Sequence, residues 1–211
     1  MGRRWLACGA VAAGALSCAT SSVPPPAHAG DGIPIQSYGS GVAGVHAANP
    51  DVKLSVGRDV AQGTAPVLFV DYPAPTPDPA GRDVWCDAES TDWSAALVIA
   101  FQVKPEHAVK LSVSFLDRNH VAYTTWVDLT AGVWQPVRIP LDRVRPNPYF
   151  QPPDARVGAP LDAREVKALA FAPRDDAPGR LAISAVTVLK IGAGIAFPAP
   201  RAAECRSCPA D

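Results

Sequence analysis

The sequence has little that would attract nucleic acid and no apolar run long enough to cross a bilayer. Its 211 residues carry 19 Lys and Arg against 20 Asp and Glu, which gives a formal net charge of -1, and the basic residues form no long run. This balance produces no field that draws in nucleic acid or an anionic membrane. The apolar stretch at residues 5–16 is shorter than the ~20 residues of a spanning helix. We therefore expect no nucleic-acid partner and no transmembrane helix.

The sequence also lacks the motifs that carry common catalytic chemistry. It contains no G-x-S-x-G elbow, no H-E-x-x-H pair and no Gly-rich loop that leads into a helix. None of His46, His107 and His120 stands beside an obvious nucleophile. Asp175 and Asp176 are adjacent in a turn and point apart, unlike two acids that flank a glycosidic bond. We expect a protein that is not an enzyme.

The N-terminus has the pattern of an export signal, with Arg3 and Arg4 before a short apolar stretch. Two processing routes remain open. The sequence ALSC at residues 15–18 is similar to a bacterial lipobox, which would make Cys18 the lipidated first residue of a cell-envelope lipoprotein. Alternatively, AHA at residues 27–29 offers a cleavage site for free secretion. We expect a signal peptide over residues 1–18 and membrane contact only through a lipid on Cys18.

Cysteine is scarce, and the number left after export is odd. Cys86, Cys205 and Cys208 remain, the last two in the C-x-x-C of a Pro/Ala-rich tail. This pair can be a local disulfide, idle thiols, a redox pair or half of a metal site. The tail position favours a structural interpretation, because catalytic thiol pairs normally sit on a folded scaffold. The pairing of the three cysteines stays open.

Composition divides the rest of the chain into a linker, a domain and a tail. Residues 19–50 are rich in Pro, Gly and Ala with few large apolar side chains, which is typical of a linker. We expect a folded domain over residues 51–190 and a loosely attached tail over residues 191–211. One helical turn is predicted at residues 162–168, where Asp162 can act as a cap with Glu165 three residues later.

Apolar residues of the predicted domain recur at every second position, which is the signature of β-strands with one buried face. The alternating runs are at residues 97–103, 111–115, 125–129, 137–141 and 181–188, with a bulge expected at residues 184–185. Turn signals such as Lys104-Pro105 and Ala131-Gly132 separate them. Short strands without intervening helices predict an all-β protein, an antiparallel β-sandwich.

The order of these strands resembles a known family. The segments VKLSVGRDVAQGTAPVLFVDY, DWSAALVIAFQV, VKLSVSFLD, TTWVDLTAGVWQPVRIPL, LDAREVKALAFAP and GRLAISAVTVL are similar to galactose-binding-domain-like jelly rolls, the fold of many carbohydrate-binding modules. The resemblance covers about two-thirds of the chain. It implies jelly-roll topology and sugar recognition on one face, although similar sandwiches also serve as structural domains.

One departure from the family concerns calcium. Members often open the last strand with an Asp-Asn pair and hold a structural calcium ion, whereas Ser184 and Ala185 stand here. Asp59 and Asp71 are scattered and fall short of the six to eight oxygen ligands that calcium takes. We expect no cofactor and no metal.

Strand alternation predicts which side chains point away from the core. If Leu111, Val113 and Val127 face inward, an aromatic ring and several polar groups share the outer face. The predicted sugar-binding residues are Gln102, Ser112, Ser114, Trp126, Asp128 and Arg138. A sugar stacks its apolar face on an aromatic ring while its hydroxyls pair with polar groups. In the alternative interpretation, Trp126 packs under a loop and Asp128 pairs with Arg138.

The other aromatic residues have less certain roles. Trp93 and Trp134 are expected to pack in the core or at a corner, and Trp85 is ambiguous. Tyr149 and Phe150 lie in a Pro-rich loop that can overhang the sheet and close one end of a groove.

Two functions are therefore open. The first is an exported, non-catalytic domain that binds a polysaccharide. The second is a structural or protein-interaction domain of the cell envelope without a sugar site. The sugar and the oligomeric state are left open by the sequence.

Overall fold

The computed structural model describes residues 32–75, 77 and 81–190. Thirteen β-strands and two short 3-10 helices make up the regular structure of these residues, so the all-β prediction is confirmed. Neither helix is long enough to cross a membrane. The expected signal peptide, Cys18 and the C-x-x-C tail lie outside the described residues.

Two antiparallel sheets form the sandwich, and their strands are numbered in chain order. The strands are β1 (Gly32–Gln36), β2 (Val45–Ala47), β3 (Lys53–Arg58), β4 (Pro66–Tyr72), β5 (Val84–Asp87), β6 (Ala96–Pro105), β7 (Val109–Leu116), β8 (Ala122–Leu129), β9 (Gln135–Pro140), β10 (Arg145–Pro146), β11 (Ala168–Arg174), β12 (Gly179–Ser184) and β13 (Val186–Lys190). The 3-10 helices are η1 (Val60–Gln62) and η2 (Leu141–Arg143).

The first sheet has seven strands in the order β1-β13-β6-β12-β4-β3, with β9 also paired to β6. The second has six strands in the order β10-β8-β7-β11-β5-β2. Strands distant in sequence pair throughout, as when β11 lies between β7 and β5. This crossing of the chain between the sheets brings separate segments together on one face.

The core lies between the sheets and is built by the predicted alternation. On β7, Leu111, Val113 and Phe115 point inward and are at most 2% exposed. Trp93 is fully buried, as expected, and its ring centroid lies 5.5 Å from that of Phe115. A pleated strand with one apolar face buries that face at a favourable free energy of about 25 cal/mol per Å².

Part of the predicted linker belongs to the sandwich. Residues 32–50, expected to belong to the linker, supply β1 and β2, which pair with β13 and β5. Ile35 is fully buried in the core. Gly41 and Gly44 adopt positive φ angles between the two strands, a conformation that glycine reaches without a steric penalty. Composition alone does not predict β1 and β2, because both are short and lie among glycines.

The predicted helical turn at residues 162–168 is wrong. The backbone N–H of Trp93 donates to the carbonyl of Ala163, and that of Val166 donates to the carbonyl of Thr91. The Asp162 side chain accepts a hydrogen bond from the N–H of Arg164, which is a local alternative to a helical turn. Tertiary hydrogen bonds therefore keep this segment extended.

A polar cluster ties the segment before β5 to the β11–β12 turn. Arg82 is only 6% exposed, and its Nη1 lies 2.7 Å from Oδ1 of Asp175. The other carboxylate oxygen of Asp175 accepts hydrogen bonds from His107 Nε2 at 2.6 Å and from the Tyr72 hydroxyl at 3.2 Å. Burial raises the pKa of Tyr72, and Asp175 raises it further. The cluster is a closed structural network.

Cys86 is a free thiol on the inner side of β5. It is fully buried, and burial raises its pKa to about 12. The thiol is therefore protonated at neutral pH.

Candidate binding face

The outer face of the six-stranded sheet collects side chains from four neighbouring strands. Trp126 on β8 lies opposite Ser112 on β7, which lies opposite Ala172 on β11. One step along the strands, Ser114 lies opposite Ala170, which in turn lies opposite Trp85 on β5. We call this surface, from Trp126 across β7 and β11 to Trp85, the tryptophan face.

Small residues form the floor of the tryptophan face. Ala170 and Ala172 are each 3% exposed although they point away from the core. Thr124 accepts a hydrogen bond from the Ser114 hydroxyl at 2.8 Å, and its own hydroxyl lies 3.2 Å from that of Ser112. Small side chains thus occupy the middle of the tryptophan face, between the larger Trp126 and Trp85.

An exposed aromatic pair lies at the β8 side of the tryptophan face. Trp126 is 44% exposed, which rules out the alternative in which a loop covers it. Its ring meets that of Tyr149 edge to face, with centroids 6.4 Å apart. Tyr149 is 85% exposed on the Pro-rich loop, which therefore lies beside Trp126 at the β8 edge. The two rings present apolar surface to solvent.

The Pro-rich loop is held against β8 by a side chain that the sequence analysis did not single out. The amide of Gln151 accepts a hydrogen bond from the N–H of Ala122 and donates one to its carbonyl, at 3.0 and 2.9 Å. Asn147 also donates its backbone N–H to Ala122. Gln151 thus takes the place of a neighbouring strand and fixes the position of Tyr149.

Trp85 lies at the opposite side of the tryptophan face, on the strand next to β2. It lies opposite His46, and both point away from the core. Nε2 of His46 is 3.0 Å from Oδ2 of Asp87. The sequence analysis left Trp85 unassigned because the short strand β5 was taken as a loop. Trp126 and Trp85 lie three strands and two residues apart, so their backbones are separated by about 14 Å across the strands and about 7 Å along them, about 16 Å in all.

Charged side chains of this face occur in pairs of opposite sign. Lys110 Nζ lies 3.6 Å from Asp128, and Arg174 Nη2 lies 3.2 Å from Asp83. The alternative interpretation, in which Asp128 pairs with Arg138, is wrong, because Arg138 lies in the other sheet.

The structure brings together Trp126, Asp128, Ser112 and Ser114 but not the other two predicted site residues. Gln102 lies on β6 and Arg138 on β9, both in the seven-stranded sheet on the opposite side of the sandwich. There, Gln102 accepts a hydrogen bond from the Gln62 side chain. Strand alternation predicts which residues of one strand point outward, but it does not tell which sheet the strand joins. The predicted six-residue set is therefore split.

The carboxylates considered for calcium each contact a cationic side chain. Asp59 is paired with Lys104, which lowers the pKa of Asp59, and Asp71 binds Arg180. Trp134 is 9% exposed and packs on the outer side of the seven-stranded sheet, 5.4 Å from the Lys104 ammonium. Over the described ranges, no group of three or more His, Cys, Asp or Glu side chains is arranged to hold a metal ion.

Solved structures with similar folds are numerous, whereas no family model and no curated protein matches the sequence. A family 11 carbohydrate-binding module from Clostridium thermocellum, in complex with a β-1,3-1,4-mixed-linked tetrasaccharide, superposes with a TM-score of 0.58 at 18% identity over 76% of this chain and 96% of its own. A family 30 module of a cellulosomal cellulase from the same organism gives 0.52 at 16% identity over 76% and 96%.

An exo-β-agarase gives a TM-score of 0.54 at 13% identity, covering 76% of this chain but only 25% of the agarase. At these identities the likeness shows the fold. The expected jelly-roll β-sandwich fold is thus confirmed.

Proposed function

We propose that this chain is a non-catalytic domain that binds carbohydrate on the tryptophan face. The observation that carries the proposal is the exposed Trp126–Tyr149 pair beside a floor of small and hydroxyl-bearing side chains. An indole offers a flat apolar surface to the C–H face of a sugar ring. The exposed charged groups beside it, Lys110 and Asp128, are hydrogen-bonding partners of the kind that sugar hydroxyls need.

The distance between Trp126 and Trp85 favours an oligosaccharide segment over a single sugar as the ligand. A chain that runs obliquely across the strands would contact Trp126 at one side and Trp85 at the other, about 16 Å away. The opposite-charge pairs Lys110–Asp128 and Arg174–Asp83 leave no strong field on this surface. A neutral polysaccharide is thus the preferred ligand, and mixed-linked β-glucan, the ligand type of the similar family 11 module, is the first to test.

Affinity electrophoresis in gels containing mixed-linked β-glucan or agarose tests this proposal. Wild-type protein is expected to migrate more slowly with the correct polysaccharide than without it. Trp126→Ala removes the stacking surface and is expected to weaken binding roughly tenfold or more, which corresponds to about 1.4 kcal/mol. Trp85→Ala is also expected to weaken polysaccharide binding, since Trp85 lies at the other side of the tryptophan face.

Arg138→Ala is the matched control because it removes an exposed side chain from the opposite sheet. It is expected to leave migration unchanged. Thermal unfolding of each variant separates loss of contact from loss of folding. Equal weakening by Trp126→Ala and Arg138→Ala would contradict this location. If no polysaccharide is retained on a broad panel while a protein partner binds through exposed Tyr149 and Phe150, the domain is an interaction module instead.

We further propose that the chain is exported, either as a lipoprotein attached through Cys18 or as a secreted protein. The support is the N-terminal pattern of Arg3 and Arg4 followed by a short apolar stretch. Mass spectrometry of the mature N-terminus from native cells is the test. A diacylated Cys18 identifies the first route and an N-terminal Gly30 the second. A retained Met1 refutes both.

A further inference from the structure

A concave site lies where the β7–β8 turn meets the chain segment before β11. It is a cavity of about 580 Å³ whose lining is entirely polar or charged. We call it the arginine pocket. Its lining residues are Arg118, Asn119, His120, Asp154, Arg156, Asp162 and Arg164. Small-molecule sites are typically of roughly 300–1,000 Å³, so the cavity has room for more than a simple ion.

The charges of the arginine pocket do not cancel. Asp162 is bound by Arg164 through two hydrogen bonds, Nε to Oδ1 at 2.8 Å and Nη2 to Oδ2 at 2.6 Å. Asp154 is hydrogen-bonded to Nδ1 of His120. The lining holds the guanidinium groups of Arg118, Arg156 and Arg164 against the carboxylates of Asp154 and Asp162, so it has one more cationic than anionic side chain.

A buried carboxylate holds the frame of the pocket in place. Asp117 is 2% exposed, and its side chain accepts hydrogen bonds from the N–H groups of Asn119, Val121 and Asp162, each at 2.9 Å. The backbone of Arg156 donates to the carbonyl of Asn119 at 3.0 Å. Both walls are thus tied to the same turn. A preorganised site binds a ligand at a smaller entropic cost than a mobile one.

We propose that the arginine pocket binds the oxyanion of a small polar ligand, a carboxylate, sulfate or phosphate group, separately from the tryptophan face. Guanidinium groups bind such oxyanions through charge-assisted and often paired hydrogen bonds. Every residue that lines the pocket has a polar or charged side chain, which points to a strongly hydrophilic molecule. Acidic sugars and inorganic anions share this chemistry.

Titrations followed by ¹H–¹⁵N NMR at constant ionic strength test the proposal with defined probes. The probes are methyl β-D-glucuronide, its neutral counterpart methyl β-D-glucoside, sodium sulfate and sodium phosphate. Amide signals of residues 117–120 and 154–164 are expected to shift with at least one of the three anions and not with the neutral glucoside. The tightest of the three identifies whether the ligand is a uronate, a sulfate or a phosphate.

Arg118→Gln and Arg156→Gln are each expected to raise the anion Kd roughly fivefold to tenfold, because each removes one charge-assisted contact. Arg58→Gln is the matched control, since Arg58 is equally cationic and exposed but lies on β3 of the other sheet. Equal Kd values for the three variants, or no anion-dependent shift at the pocket, overturn the proposal. Trp126→Ala is expected to leave anion binding unchanged, so failure of the carbohydrate proposal and failure of this one are distinguishable.

Discussion

Gly179 shows how closely a single residue is fitted to the polar cluster around Asp175. A Cβ atom at this position would lie 2.3 Å from Cε1 of His107 and 2.9 Å from the Tyr72 hydroxyl. Neither ring can move freely, because both hydrogen-bond to Asp175. Glycine is required here by space.

Gly179→Ala is therefore expected to destabilise the protein by about 1–3 kcal/mol, the usual cost of forcing an extra methyl group into a packed site. Urea denaturation measures the effect. Gly39→Ala is the control, since the nearest atom to its Cβ is 3.5 Å away. In a His107→Ala background the cost is expected to fall, and an unchanged cost there would assign the effect to the backbone instead.

Asp162 makes the stability of the pocket frame depend on pH. The two hydrogen bonds from Arg164 lower the pKa of Asp162 to about 2. Because this pKa is below the unfolded value of about 3.9, the ion pair stabilises the folded state above pH ~4 and this contribution is lost as the pH falls towards 2.

Asp162→Asn is therefore expected to reduce the free energy of unfolding at pH 7 and to lose this difference from wild type near pH 2. Urea denaturation of the two proteins between pH 2 and pH 7 measures it. Asp128→Asn, which alters an exposed and longer ion pair, is the control. A difference between Asp162→Asn and wild type that is the same at every pH would show that the carboxylate charge is not responsible.

At the scale of elements, substitutions in β1 measure how much the residues before Asp51 contribute to the stability of the sandwich. Ile35 is fully buried, whereas its neighbour Pro34 is exposed on the same strand. Ile35→Ala is expected to cost about 2–5 kcal/mol in unfolding free energy, as for other large-to-small changes in a core. Pro34→Ala is expected to change it little. Equal and small effects of both substitutions would mean that β1 adds no stability to the sandwich.

Strands were predictable from the sequence where alternation was long, and the binding face was predictable only within a strand. The inward pattern of Leu111, Val113 and Phe115 fixes the outward positions of Ser112 and Ser114, which the structure confirms. Gln102 and Arg138 follow the same rule but belong to the other sheet. Their place depends on long-range pairing, which the spacing of apolar residues does not encode.

The tryptophan face also contains residues that local patterns could not supply. Trp85 joins it because β5 pairs with β11, a strand more than 80 positions away in sequence. Tyr149 joins it because Gln151 binds the backbone of Ala122. Such side-chain-to-backbone contacts leave no periodic trace in the sequence. Exposed aromatics in a Pro-rich loop were the one available signal.

At the scale of the whole molecule, the two sheets share one core. Buried residues of both, such as Leu111 and Ile183, belong to a single hydrophobic cluster. Neither sheet can lose its partner without exposing its inner face to water, so unfolding is expected to be cooperative. Far-UV circular dichroism and intrinsic tryptophan fluorescence should give the same urea midpoint. Separate midpoints would show that the sheets unfold independently.

Cys86 gives the domain a chemical advantage in an oxidising environment. Attack on a disulfide, or reaction with an oxidant, requires a thiolate that solvent molecules can reach. The Cys86 sulfur is protonated and fully buried. Thiol–disulfide exchange with other cysteines of the chain therefore requires unfolding of the sandwich. Resistance to thiol damage is thus governed by the unfolding equilibrium, and each substitution that loosens the core also shortens the lifetime of this thiol.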